Sequence, residues 1–205
     1  MVWISKELNM RKIIVFTNLT LDGVMQAPGR QDEDLRGGFQ HGGWGAPYAA
    51  MSTVSGGSLS NTGPLLFGRR TYEDFYAVWP NRTDNPYTEI LNNAQKYVAS
   101  NTLKEPLPWV NSTLLKGDVH NEVAKLKEQP GKDFLVMGSG VLVQSLMQHR
   151  LVDLYVLLIH PLILGSGRHL FPDGSALTAL TLIDSKTTSN GVVIATYQPK
   201  EPVTE

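Results

Sequence analysis

LLFGRRTYEDF, residues 65–75, runs from a short apolar strand through Gly68 into a helix that begins with Arg69 and Arg70. A helix N-terminus carries about half a positive charge, so cations there are disfavoured by about 0.3–1 kcal/mol each. Two readings explain the placement. A bound phosphate, held by free first-turn N–H groups, would reverse the penalty. Alternatively, both arginines are solvated and lay their stems on apolar surface. In open α/β sheets ligands sit beyond the carboxyl ends of the strands, which is where these arginines fall.

The sequence around this stretch alternates between strand and helix. RKIIVFTNL, from Arg11, is a β-branched strand, and residues 22–47 form a long Gly-rich loop, a length that more often marks function than filler. Residues 47–55 suggest a short helix. AQKYVAS (94–100) and STLLKG (112–117) are strand candidates. In DVHNEVAKLKEQPG the apolar Val119, Val123 and Leu126 recur at helical spacing behind an Asp118 N-cap. DFLVMGSG is a buried strand ending in glycines, and VLVQSLMQHRL is a helix. The strands VDLYVLLIHPLIL, LTLIDSKTTSN and GVVIATYQP follow, the last two meeting at Asn190-Gly191, the preferred pair of a two-residue type I′ hairpin. Alternation followed by consecutive strands implies an α/β fold. The expectation is a single domain over 11–198 with a mostly parallel central sheet, helices on both faces and an antiparallel C-terminal hairpin. Residues 1–10 read as an N-terminal extension and 199–205 as a C-terminal tail.

Two further strand ends carry suggestive residues. KYVA leads to Ser100, Asn101 and Thr102, which suit either a ligand or an ordinary turn. FLVM leads to Gly138, Ser139 and Gly140, where glycines permit close backbone approach. The third glycine of a GxGxxG fingerprint is missing, and no G-K-[ST] P-loop occurs. Taken together, the three ends fit one extended phosphate-bearing ligand lying across the sheet edge, and a dinucleotide has that length and charge.

Composition narrows the classes. With 205 residues, 41% hydrophobic and 18% charged, the chain can bury a core without staples. It has no cysteine, which excludes disulfides, thiolate metal sites and a cysteine nucleophile. A net charge of −1 gives no global attraction to nucleic acid or an anionic membrane. No apolar run approaches the roughly 18 residues of a membrane span, and a cytoplasmic location is the default expectation. The histidines have no metal-ligand spacing, so no metal is expected.

These segments, in this order, resemble the dihydrofolate-reductase-like fold, and in particular the RibD C-terminal (riboflavin biosynthesis reductase) domain family. LTLDGVM resembles the family's S-L-D-G segment, FGRRTYEDF its G-R-x-T-Y-E segment and ASNTL its S-x-T-L segment. The long stretch MGSGVLVQSLMQHRLVDLYVLLIHPLILGSGRHLF resembles the family's G-G-x-x-L…L-V-D-E…P-x-x-L-G-x-G…L-F pattern. The resemblance implies an NADPH-dependent reductase of a small heterocycle, with no zinc deaminase attached, since the deaminase signature needs cysteines. A pterin-type reductase and a non-catalytic NADPH- or ligand-binding protein are the alternatives. It also implies a homodimer, through the apolar region around LVDLYVLLIHPLIL.

Carried onto this chain, the resemblance implies that Gly68, Arg69, Arg70 and Thr71 face the pyrophosphate and the 2′-phosphate. Ser100, Asn101 and Thr102 would flank the adenine ribose and its 2′-phosphate. Gly138, Ser139 and Gly140 would approach the pyrophosphate and nicotinamide side, followed by Val141 and Leu142. Ser139 stands where the family commonly has a second glycine, which leaves open whether the 138–139 peptide is cis. Asp22 is the candidate catalytic carboxylate, an Asp-Gly turn being the competing reading. Asn18, His41, Trp44 and Tyr48 are the substrate-side candidates: aromatic rings stack on flat heterocycles, and a histidine can donate a proton near neutral pH. Local packing around Trp44 is the alternative, and His160 reads as structural. Arg30, Arg36 and Arg168 form no convincing second basic cluster.

Overall fold

The computed structural model describes residues 10–48, 63–85 and 87–200. Eight strands form one sheet: β1 (Ile13–Thr20), β2 (Leu65–Gly68), β3 (Lys96–Ala99), β4 (Ser112–Leu115), β5 (Phe134–Met137), β6 (Leu154–His160), β7 (Leu180–Thr187) and β8 (Val193–Pro199). Among the described residues four α-helices join them: α1 (Arg69–Val78), α2 (Tyr87–Asn93), α3 (Val119–Glu128) and α4 (Gly140–Gln148). The spatial order is β4-β3-β2-β5-β1-β6-β8-β7. The first six are mutually parallel, and β8 and β7 close the edge antiparallel, as the sequence predicts.

The central strands are apolar because both faces are covered. On one face Ile13, Val15 and Leu19 of β1 pack with Val123 of α3 and with Leu142, Val143 and Leu146 of α4. On the other, Phe16, Leu65 and Phe67 pack with Tyr72 of α1, Leu91 of α2 and Trp109. Trp79 belongs to this second cluster. Asp118 caps α3 as expected, its carboxylate accepting the Asn121 N–H at 3.1 Å. Helix α2 has no counterpart in the sequence reading.

The hairpin turn differs from expectation. Gly191 N–H donates to Thr188 C=O at 3.0 Å, Thr188 N–H donates to Val192 C=O at 2.9 Å, and Gly191 has φ +85° while Asn190 does not have a positive φ. A type I′ turn needs positive φ at both central residues. The connection is therefore a type I turn extended by a left-handed glycine, with three residues in the loop. Of the expected helix over 47–55, residues 46–48 form a 3-10 turn and 49–55 lie outside the described residues.

The long loop is not structureless. Val24, Ala27, Phe39 and Trp44 form their own buried cluster, packed against Leu162 and Leu164. Gln26, also buried, ties the loop together. Its Nε2 donates to the Asp34 and Arg36 carbonyls, its Oε1 accepts the Arg168 N–H, and its carbonyl accepts Trp44 Nε1–H. The loop is thereby held on the segment that follows β6.

Candidate functional site

Strands β3, β2 and β5 are neighbours, so Ser100-Asn101-Thr102, Gly68-Arg69-Arg70-Thr71 and Gly138-Ser139-Gly140 stand side by side at one edge. Direct bonds lock the three together. Ser139 Oγ accepts the Gly68 N–H at 3.0 Å, and Ser139 N–H donates to Thr71 Oγ1 at 3.1 Å. Arg69 Nη1 donates to Thr102 Oγ1 at 2.7 Å while its Nε donates to Glu73 at 2.9 Å. Ser100 Oγ accepts the N–H groups of Thr102 and Leu103, and Asn101 Oδ1 accepts the Gly117 N–H.

Two helices open onto this edge. Neither α1 nor α4 has a side-chain N-cap bond or an acidic residue in its first turn. First-turn amides without caps, next to arginines, favour an anion. Arg70 is exposed and has no ion pair among the described residues. Gly138 and Ser139 are both left-handed, with φ +60° and +59°, and the peptide between them is trans. A Cβ on Gly140 would lie 2.7 Å from Met25 Sδ, so the long loop leans on the start of α4. Val141 is exposed, whereas Leu142 is buried in the core behind the turn.

A second group gathers at the ends of β1 and β6. His160 is buried, its Nε2 lies 2.9 Å from Asn18 Oδ1, and Trp44 and Tyr48 meet its ring edge-on, each with centroids 5.1 Å away. Burial lowers the His160 pKa below that of a free imidazole. His160, read from sequence as structural, thus joins Asn18, Trp44 and Tyr48. His41 stands apart, exposed and edge-on to Phe39.

Asp22 is heavily engaged. Its carboxylate accepts the Thr20 hydroxyl and the N–H groups of Gly165, at 2.7 Å, and Leu164. The Thr20 bond, then the two amides, hold its pKa below the usual carboxylate value. It clamps the end of β1 to the 164–165 loop, a role that spacing alone did not suggest. Arg30 bonds to Asp74 of α1 and to Asp32, and Arg36 to Asp34, so the loop arginines are largely neutralised. Met25 and Gln26 were missed from the sequence, because their partners are remote in the chain and no local pattern marks them.

A family model for the RibD C-terminal domain matches residues 11–194. The chain belongs to this family. It is 29% identical over 203 residues to the uncharacterized protein YyaP of Bacillus subtilis, spanning 94% of this chain and 97% of that protein. Among solved structures it is similar to a putative riboflavin biosynthesis protein of Shewanella sp. PV-4, with TM-score 0.65 and 23% identity, covering 93% of this chain and 99% of the other. It is similar in fold to dihydrofolate reductase of Enterococcus faecalis, with TM-score 0.54 and 14% identity over 93% and 97% of the two chains. The fold is dihydrofolate-reductase-like. No helix among the described residues is long and apolar enough to cross a membrane.

Proposed function

We propose that this RibD C-terminal domain protein is an NADPH-dependent reductase that passes a hydride to a small planar heterocycle, as a riboflavin-pathway reductase does. The observation that carries the reading is the cross-linked edge. Two helix N-termini without caps, two adjacent arginines and a left-handed Gly138-Ser139 turn lie on three neighbouring strands. Family membership and fold support the reductase class.

The donor set fits the cofactor. The amides of α1 and Thr71 would hold the pyrophosphate, and Arg69 or Arg70 the 2′-phosphate, since guanidinium forks match phosphate oxygens. Ser100, Asn101 and Thr102 would line the adenosine end. Gly138 through Leu142 would carry the chain past the nicotinamide end, where no Cβ at 138 or 140 intervenes. The bound cofactor would supply the hydride. The protein's own residues orient the acceptor: Asn18, Trp44 and Tyr48 flank its site with His160, and His41 lies at the loop surface.

Asp22 serves this reading by fixing the loop rather than by releasing a proton, because its acceptor sites are occupied and its pKa is lowered. That same observation favours a second reading, a protein that binds NADPH without turning it over. Strand β7 is the sheet edge and is not paired on its outer side among the described residues, and Leu182 and Ile183 are about half exposed there, which supports a homodimer formed through this side of the sheet. The reading places the protein in the cytoplasm, where NADPH is used.

The test is NADPH fluorescence followed in the presence of pyrimidine, pterin and quinone acceptors. Oxidation with one of them supports the reductase. Tight binding with no oxidation by any of them supports the binding protein.

A further inference from the structure

The His160–Asn18 pair carries more than packing. Asn18 Oδ1 can only accept, so the 2.9 Å contact requires the proton to be on His160 Nε2. The remaining ring nitrogen, Nδ1, is buried and has no partner among the described residues. A bare lone pair there is tolerable, whereas an orphaned buried N–H is rare in folded proteins. The reverse arrangement, with the amide turned over and Nδ1 protonated, would leave such a donor. Trp44 and Tyr48, at 88° and 81° to the imidazole, pack edge-to-face with the ring and oppose its flipping.

The consequence falls on Asn18. With Oδ1 turned to His160, its Nδ2 has no acceptor among the described residues. Asn18 is half-buried near the end of β1, two residues beyond Phe16, whose carbonyl accepts the Gly138 N–H. Asn18 and His160 therefore stand at the carboxyl ends of β1 and β6, on the same sheet edge as the glycine turn that follows β5. The loop carboxylates Asp22, Glu33 and Asp34 are engaged elsewhere, with Leu164 and Gly165, with Gly29, and with Arg36 respectively.

We propose that His160 is a positioning residue which, through Asn18, makes this site a hydrogen-bond donor, so that the heterocycle bound there presents a carbonyl oxygen and not an amino group to Asn18. The inference deepens the reductase reading and rests on it only for the word substrate; the binding preference exists with or without turnover.

A matched pair of probes decides it: lumazine, which carries ring carbonyls, and the analogue in which amino groups replace both. Calorimetric titration of the full chain, with and without NADPH, gives the affinity ratio. Lumazine is expected to bind wild type about tenfold more tightly, the size of one mispaired hydrogen bond. Asn18→Asp, which can only accept, is expected to reverse the preference. His160→Phe keeps an aromatic ring but removes the donor and is expected to erase most of the preference, and His160→Gln to restore part of it. A merely structural role would weaken both probes alike and leave the ratio unchanged. Equal or tighter binding of the amino probe by wild type, or an unchanged ratio in Asn18→Asp, overturns the proposal. Should His160→Phe not fold, the Asn18→Asp ratio still decides. Failure to bind NADPH would sink the reductase reading alone, since the ratio is measured without it as well.

Discussion

The Ser139 hydroxyl accepts the backbone N–H of Gly68 at 3.0 Å, and so joins the end of β5 to the end of β2. Ser139 holds this bond from a left-handed conformation that a residue with a Cβ adopts at a cost. The bond explains how a serine is held in a left-handed turn that glycine would adopt more readily.

Ser139→Ala removes the acceptor and keeps the strain. It is expected to destabilise the fold by about 1–3 kcal/mol, because the Gly68 N–H is left without a partner. Ser139→Gly loses the same bond but relieves about 1 kcal/mol of left-handed strain. Urea unfolding should therefore rank wild type above glycine and glycine above alanine. Alanine as stable as glycine would mean that the left-handed strain at this position is negligible.

Gln26 makes three side-chain bonds across two loops while buried. Gln26→Leu keeps the bulk and removes all three, with an expected loss of about 2–4 kcal/mol. Hydrogen exchange should quicken first in residues 34–36 and at Arg168, the segments that Gln26 ties together. Uniform quickening across the sheet would argue against a local knot.

Lys96 is fully buried at the start of β3. Its ammonium donates to the carbonyls of Asn92, Ala94 and Val110 and lies 4.5 Å from the Trp109 ring. Burial lowers its pKa to about 8, from 10.5 when free. Below pH 8 both folded and unfolded states hold the proton, so this group adds no pH dependence. Between about pH 8 and 10.5 the unfolded state holds the proton more tightly, and stability is expected to rise with pH. Lys96→Met should lose that rise and, with three carbonyls unpaired, be less stable at neutral pH. Denaturant midpoints of both proteins across this range test it.

The fold was legible because its signals are local. Apolar runs, the Asp118 cap and glycines after strands mark β1, β5, α3 and α4 without reference to anything distant. The three strand-end segments were legible for the same reason, and the strand order then made them neighbours. The hairpin type was not, because Asn190-Gly191 suits two turns, and the pairing of Thr188 with Val192 decides between them. Helix α2 is seven residues with little apolar periodicity, stabilised chiefly by Leu91 reaching the core. The roles of Gln26, Asp22 and His160 depend on partners up to 143 residues away, which no window of sequence contains.

The central claim is that the arginines at the start of α1 bind the 2′-phosphate of NADPH. Fluorescence titration of wild type, Arg69→Ala and Arg70→Ala with NADPH and with NADH tests it most directly. Wild type is expected to prefer NADPH by about tenfold or more, a charge-assisted contact being worth about 1.5–3 kcal/mol. At least one alanine variant should lose most of that preference while still binding NADH. Equal affinity of wild type for the two nucleotides, or a preference untouched by both substitutions, would contradict the account.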